Sequence, residues 1–153
     1  MRLPPEISKC LCDTSKCKER GKVCWEADGG QYLHVRVDGC LGHLADLKKA
    51  DCLIVRLARD KVYAYVIEVK SRRYDLDEVR EKIENTLNAL YDILRCAIVP
   101  IPVLYTESHE RWVVRYALHK KVRYKGRAYP MTFLKYCQSV QKAVEAIKAL
   151  DMK

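Results

Sequence analysis

The chain has 153 residues, of which 29 are Lys or Arg and 20 are Asp or Glu, giving a formal net charge of +9. That length suits a single domain with its own core. No apolar run could span a bilayer or serve as a signal peptide, so we expect a soluble, cytoplasmic protein. The basic excess favours nucleic acid as a partner ahead of an anionic membrane surface. Many charged residues with few Asn and Gln are typical of hyperthermophiles.

Cysteines alternate with basic residues near the beginning of the chain. We predict that residues 1–24 form an irregular lobe, not an independent domain, and that residues 25–153 form the main domain. The cysteines expected to hold this lobe together are Cys10, Cys12, Cys17 and Cys24. Disulfides are the first expectation, because intracellular proteins of hyperthermophiles keep them. A zinc site or an iron–sulfur cluster is the alternative for the same residues.

Strand signals follow the lobe. Residues 23–27 and 31–38 flank an Asp-Gly-Gly turn and predict a hairpin. Two later runs, residues 52–57 and 62–70, are separated by a short polar turn and predict antiparallel neighbours. The second run is apolar on both faces until Glu68, as expected of a central strand.

A helix is predicted next, with Asp75 as its N-cap and Glu78 placed to complete a capping box. Its apolar stripe recurs at steps of three and four and consists of Leu76, Val79, Ile83, Leu87, Leu90 and Leu94. Such a stripe packs against a core.

The remaining third of the chain predicts strands and one more helix. Residues 97–104 read as a strand outside the centre of the sheet, because two prolines interrupt it. Residues 112–118 and 122–129 are candidates for a hairpin, and a last helix is expected to be capped near Thr132. This order indicates an α/β or α+β domain with a mixed sheet flanked by helices.

An acid and a lysine stand at the end of the expected central strand. Glu68 and Lys70 share one face, because successive strand side chains alternate. Antiparallel pairing would bring Asp51, at the start of the preceding strand, opposite residue 69 or 70. Two carboxylates and the backbone carbonyl of Val69 suit Mg²⁺ or Mn²⁺, which keeps several waters. The lysine could orient or deprotonate an attacking water, or stabilise charge on a phosphodiester.

This arrangement resembles the PD-(D/E)xK nuclease superfamily of restriction and DNA-repair enzymes. Asp51 comes first, Glu68-Val69-Lys70 lies on the next strand, and a helix and a further strand follow. The stretch from Ile67 to Arg73 is most similar to archaeal Holliday-junction resolvases, and Trp112-Val113-Val114 is reminiscent of them. The resemblance covers roughly residues 50–118. It implies a restriction-endonuclease-like fold, with Asp51 and Glu68 binding the metal. A resolvase-like role further implies a homodimer that cuts two strands.

The resemblance also implies another acidic ligand upstream of Asp51. Its alternatives in this chain are Glu26, Asp38 and Asp46. Ala50 replaces the proline that usually precedes the aspartate in this superfamily.

Basic residues near the motif are candidates for phosphate contacts. Arg72 and Arg73 either clamp a phosphate or pair with acids at the start of the helix. A basic ribbon further along the chain is expected to contact nucleic acid and comprises Arg111, Arg115, Lys120, Lys121, Arg123 and Lys125. The aromatic residues between them fit core positions better than stacking positions.

The sequence therefore predicts a Mg²⁺-dependent endonuclease that acts on DNA, with a role in repair, recombination or defence. The alternative is a subunit that keeps the nuclease fold without its chemistry and serves in nucleic-acid binding or assembly.

Overall fold

The computed structural model describes residues 4–10, 16–19, 22–26, 32–37, 48–70, 74–106 and 120–135. Its helices are α1 (Pro5–Ser8) and α2 (Leu76–Leu94). Its strands are β1 (Lys16–Glu19), β2 (Lys22–Glu26), β3 (Tyr32–Val35), β4 (Cys52–Leu57), β5 (Lys61–Lys70), β6 (Ala97–Thr106), β7 (Val122–Tyr124), β8 (Arg127–Tyr129) and β9 (Thr132–Lys135).

A five-stranded mixed sheet forms the centre of the fold, in the order β3-β4-β5-β6-β9. Strand β4 runs antiparallel to both β3 and β5, whereas β6 is parallel to β5 and β9 is parallel to β6. Helix α2 provides the crossover that two parallel strands require. The general expectation of a mixed α+β domain is therefore confirmed.

Strand β5 is the central strand that its apolar run predicts. Val62, Ala64 and Val66 belong to the same buried cluster as the apolar stripe of α2. On the other face, Tyr65 and Ile67 are also fully buried. A strand buried on both faces needs apolar residues at nearly every position, which explains the continuous run.

Helix α2 begins and packs as its sequence predicts. The Asp75 carboxylate accepts a hydrogen bond from the Asp77 amide at 2.9 Å, which confirms the N-cap. Every stripe residue from Leu76 to Leu90 is buried, while Leu94 is half-buried. The helix ends at Arg95, which has a left-handed backbone (φ 50°) and donates its N–H to the Tyr91 carbonyl at 2.8 Å.

The position of β6 in the sheet differs from the expectation. It lies between β5 and β9, although it contains Pro100 and Pro102. Strand β9 pairs only with Val103 to Thr106, so both prolines lie where β5 is the sole described neighbour. Residues two apart on a strand direct their backbone N–H positions to the same side. The two prolines, which lack an N–H, can therefore both have this position on the side of β6 away from β5.

The hairpins also differ from the expectation. Strand β2 pairs with β1, and β3 pairs with β4, so the hairpin predicted across the Asp-Gly-Gly turn is wrong. In the region predicted as the single strand 122–129, β7 and β8 form a hairpin of their own. Lys125 (φ 50°) and Gly126 (φ 78°) make its turn, and positive φ at both central positions is what a type I′ turn requires.

Thr132 begins strand β9 and does not cap a helix. Pairing of β9 with the last four residues of β6 satisfies its backbone groups in the sheet. The rest of the predicted final helix, and the strand expected over residues 112–118, lie outside the described residues.

The first residues of the chain contribute to the main core. Ile7 and Cys10 are fully buried in the cluster that also contains the stripe of α2. The Cys10 carbonyl accepts a hydrogen bond from the Arg36 amide at 2.7 Å. The proposed boundary between residues 24 and 25 stays a prediction. In the part of the chain that the structure describes, no helix combines the length and apolar character needed to cross a membrane.

Candidate active site

Asp51 and Glu68 meet at one end of the central sheet. Cys52 pairs with Ile67, so Asp51, one residue earlier, falls beside Glu68 in the antiparallel register. The expected register is therefore off by one residue. The Asp51 carboxylate accepts a hydrogen bond from the Val69 amide at 2.8 Å, which fixes it against the end of β5.

The Glu68 carboxyl group is fully buried. Neither of its oxygens accepts a hydrogen bond of good geometry from the described residues. Burial, together with the neighbouring Asp51 carboxyl, raises the pKa of Glu68 to about 9, although the positive charges of Lys82 and Lys70 oppose this shift. A protonated Glu68 keeps its proton and can donate a hydrogen bond to the Asp51 carboxylate, which removes the repulsion between two negative charges.

Lys82 of helix α2 is a member of this site that the sequence interpretation missed. Its ammonium lies 3.1 Å from Glu68 Oε2 and 3.4 Å from Glu78 Oε1. Partial burial lowers the pKa of Lys82, but the Glu68 carboxylate outweighs that effect and raises the pKa overall. Lys82 therefore supplies the positive charge that a buried, ionised Glu68 requires.

Helix α2 also holds the segment that leads to Asp51. The hydroxyl of the buried Thr86 accepts a hydrogen bond from the Ala50 amide at 2.9 Å and donates one to the Lys82 carbonyl at 2.8 Å. The Asn85 side-chain amide donates to the Lys48 carbonyl at 2.8 Å. These contacts position the backbone immediately before Asp51.

The sequence contains a signal for Lys82 and Thr86, the two residues of α2 that were not predicted. Lys82 and Thr86 are four residues apart, on the side of α2 where the apolar stripe lies. A polar residue within a buried stripe indicates a specific partner, because an unpaired polar group there is costly. The partner itself could not be identified from spacing alone.

Lys70 is half-buried at the end of β5, where it pairs in register with Thr106 of β6. Its charge favours the ionised form of Glu68. We define the carboxylate site as Asp51, Glu68, Lys70 and Lys82. Three of these four residues were predicted from the sequence.

The oxygen atoms of the carboxylate site suit a hard divalent cation. Mg²⁺ is commonly held by one or two carboxylates and completes its octahedron with water. The fully buried Glu68 carboxyl beside Asp51 fits that pattern. Within the described ranges, no group of three or more His, Cys, Asp or Glu side chains could hold a metal ion.

The alternatives for a further acidic ligand stay predictions. Glu26 lies in β2, which belongs to the two-stranded sheet and not to the central one. Asp38 and Asp46 lie outside the described residues.

The structure describes half of the predicted nucleic-acid-binding residues. The side chains of Lys121, Arg123 and Lys125 are exposed on or beside the β7–β8 hairpin. Lys120 is partly exposed and pairs with Asp77 at 3.2 Å. The predicted contacts that fall outside the described residues are Arg72, Arg73, Arg111 and Arg115.

Two contacts join this hairpin to helix α2. The Arg123 amide donates to the Glu84 carboxylate at 2.8 Å. The Tyr124 ring is buried and meets the Tyr91 ring edge-on, with centroids 6.5 Å apart. Tyr124 is therefore a core residue, and the exposed cations beside it remain available to a ligand.

The cysteine interpretation stays a prediction. Cys10 is buried, the side chains of Cys17 and Cys24 are not described, and Cys12 lies outside the described residues. Cys96, after helix α2, is a free thiol, and burial raises its pKa.

No protein-family model, curated protein or solved structure matches this chain. The carboxylate site is therefore interpreted from its own geometry and chemistry.

Proposed function

We propose that this protein is a metal-dependent endonuclease that hydrolyses DNA phosphodiester bonds at the carboxylate site. The observation that carries the proposal is the meeting of Asp51 with a fully buried Glu68 that faces the Lys82 ammonium at 3.1 Å. A protein gains nothing in stability from burying a carboxyl beside a second, half-buried one. Such an arrangement is typical of functional sites, where a cation or a transferred proton compensates the charge.

The finer fold assignment is part of the same proposal. Asp51 precedes β4, Glu68 and Lys70 lie on β5, and α2 leads to the parallel strand β6. This order supports membership of the PD-(D/E)xK superfamily. The net charge of +9 supports a polyanionic substrate.

Asp51 and Glu68 would hold Mg²⁺ or Mn²⁺, with the Val69 carbonyl as a further oxygen ligand. When bound, the ion supplies a water of lowered pKa and neutralises negative charge at the phosphate.

The chain's own lysines have separate roles in this proposal. Lys70 orients or deprotonates the attacking water, or stabilises charge that develops on the phosphodiester. Lys82 positions the Glu68 carboxylate through their ion pair. Exposed cations of the hairpin, such as Arg123, contact the phosphate backbone without reading its sequence.

A cleavage assay tests the proposal. Branched, single-stranded and duplex DNA are incubated with the protein in Mg²⁺ and in EDTA, and the products show the preferred substrate structure. We expect Asp51→Asn and Glu68→Gln to reduce the rate by at least about a hundredfold, the scale set by single electrostatic groups in enzymes.

The matched control is Asp92→Asn, which removes an exposed acid from the same helix as Lys82 and should leave cleavage unchanged. Cleavage by Glu68→Gln at the wild-type rate would contradict the proposal. The size of the protein in solution, measured by light scattering, tests the expected homodimer.

The second candidate is a nuclease-fold subunit that binds nucleic acid or assembles with other proteins without cleaving. The missing third acidic ligand among the described residues favours it. Calorimetric titration with Mg²⁺ and Mn²⁺ separates the two candidates. Ion binding that Glu68→Gln abolishes supports the enzyme, and no ion binding by the wild type supports the subunit.

A further inference from the structure

An open pocket of about 460 Å³ lies at the opposite end of helix α2 from Lys82. We call it the tyrosine pocket and define it by Tyr91, Arg95, Tyr124, Lys125, Arg127 and Tyr129. Its volume falls within the range of about 300–1,000 Å³ that small-molecule sites occupy. Tyr91 is nine residues after Lys82, roughly 13 Å along the helix axis, so this pocket is separate from the carboxylate site.

Three cations line the pocket and have no neutralising acid among the described residues. The side chains of Arg95, Lys125 and Arg127 are exposed, and none of them forms an ion pair with an acid in the described part of the chain. Two of these cations lie over the same ring: the charged ends of Lys125 and Arg95 are 3.4 Å and 5.6 Å from the Tyr91 centroid. Like charges held so close together create a local positive potential that attracts an anion.

Two of these cations project from defined backbone positions. Lys125 occupies the first positive-φ position of the β7–β8 turn, and Arg95 occupies the left-handed position that ends α2. The Lys125 ammonium therefore projects from a tight turn and not from a long loop. Preorganised cations lose less conformational entropy when they bind an anion.

Aromatic rings form the walls between the cations. The Tyr91 and Tyr129 side chains are half-buried, so each keeps an accessible surface at the pocket. The ring of Tyr124 is buried beneath them and packs edge-on against Tyr91. Phosphate-binding cations next to accessible aromatic rings suit a ligand that joins a phosphate to a flat base.

We propose that the tyrosine pocket is a second binding site and that it takes a nucleoside phosphate. The cations bind the phosphate, and the base packs against the accessible surface of Tyr129. The same chemistry is presented by a free nucleotide and by one nucleotide of a single strand. This inference does not depend on cleavage at the carboxylate site.

Calorimetric titration in EDTA tests the inference without metal-dependent cleavage. The probes are inorganic phosphate, a nucleoside 5′-monophosphate and a short single-stranded oligonucleotide. We expect the monophosphate to bind more tightly than inorganic phosphate. Lys125→Gln combined with Arg127→Gln should weaken that binding by about tenfold or more, because each cation contributes a charge-assisted contact.

The control is Lys9→Gln combined with Lys48→Gln, which removes two exposed cations that do not line the pocket. Thermal unfolding confirms that each variant is folded, and Tyr129→Leu should reduce the preference for the monophosphate over phosphate. Tighter binding of the oligonucleotide than of the monophosphate identifies a strand as the ligand, and the reverse identifies a free nucleotide. Unchanged affinity in the Lys125/Arg127 variant, equal loss in the control, or equal affinity for phosphate and monophosphate would overturn the inference.

Discussion

The two ends of helix α2 hold their charges in different ways. At the carboxylate site, Glu68 is fully buried and depends on Lys82, Lys70 and a proton shared with Asp51. At the tyrosine pocket, Arg95 and Lys125 are exposed and lie over the Tyr91 ring, where water can solvate them.

This comparison of the two ends of α2 shows that a buried charge needs a counter-charge within the folded protein and an exposed charge does not. A buried carboxylate without a counter-charge destabilises the folded state by several kcal/mol, whereas exposed cations are solvated and screened by salt. Variants at the carboxylate site should therefore change stability strongly and in a pH-dependent manner. Variants at the tyrosine pocket should change binding with little effect on stability.

The largest expected effect is the pH dependence of stability caused by Glu68. Because burial beside Asp51 raises the folded-state pKa of Glu68 from 4.5 to about 9, the folded state keeps a proton that the unfolded state loses. This contribution to stability is fully present below pH 4.5 and is lost as pH rises towards 9. One proton changes the free energy of unfolding by up to about 1.4 kcal/mol per pH unit.

Urea denaturation between pH 5 and 9 checks this prediction. Wild type should lose stability relative to Glu68→Gln as pH rises, because the amide does not ionise. Parallel stability profiles for the two proteins would show that Glu68 does not have a raised pKa.

The next effect concerns the counter-charge of Glu68. We expect Lys82→Met to lower the free energy of unfolding by about 1–2 kcal/mol at pH 10, where Glu68, with its pKa of about 9, is largely ionised. The loss should be less than about 1 kcal/mol at pH 6, where Glu68 holds a proton and needs no counter-charge.

The exposed pocket supplies the control for that measurement. Lys125→Gln removes a cation that, among the described residues, contacts the rings of Tyr91 and Tyr124, and should cost about 0.5–1 kcal/mol at either pH. If the Lys82 and Lys125 variants lose equal stability at both pH values, the two ends of α2 do not differ in how they hold their charges.

A further effect, which should not depend on pH, concerns the threonine that joins α2 to the segment before Asp51. Thr86→Val keeps the shape but removes the acceptor for the buried Ala50 amide, so we expect a loss of about 1–3 kcal/mol in stability. Thr86→Ser keeps the hydroxyl and should lose less. Urea denaturation of both variants measures the difference, and a smaller loss for valine than for serine would contradict this role.

Much of the central fold could be predicted from local patterns. The apolar runs of β4 and β5 and the Asp75-capped helix α2 are confirmed, because each buries a regular apolar face. The pairing of β2 with β1, the position of β6 between β5 and β9, and the strand at Thr132 could not be predicted. Each depends on which distant strand is available to satisfy backbone hydrogen bonds.

The carboxylate site, too, could be predicted from the sequence only in part. Asp51, Glu68 and Lys70 could be predicted as site residues from the sequence alone, because an acid and a lysine two residues apart at the end of an apolar run share one strand face. Only the tertiary structure decided that Asp51 lies beside Glu68, that Glu68 is fully buried, and that Lys82 faces it from α2. These facts depend on how a helix packs across a sheet, where a shift of one residue changes which polar groups meet and how strongly burial changes their pKa values.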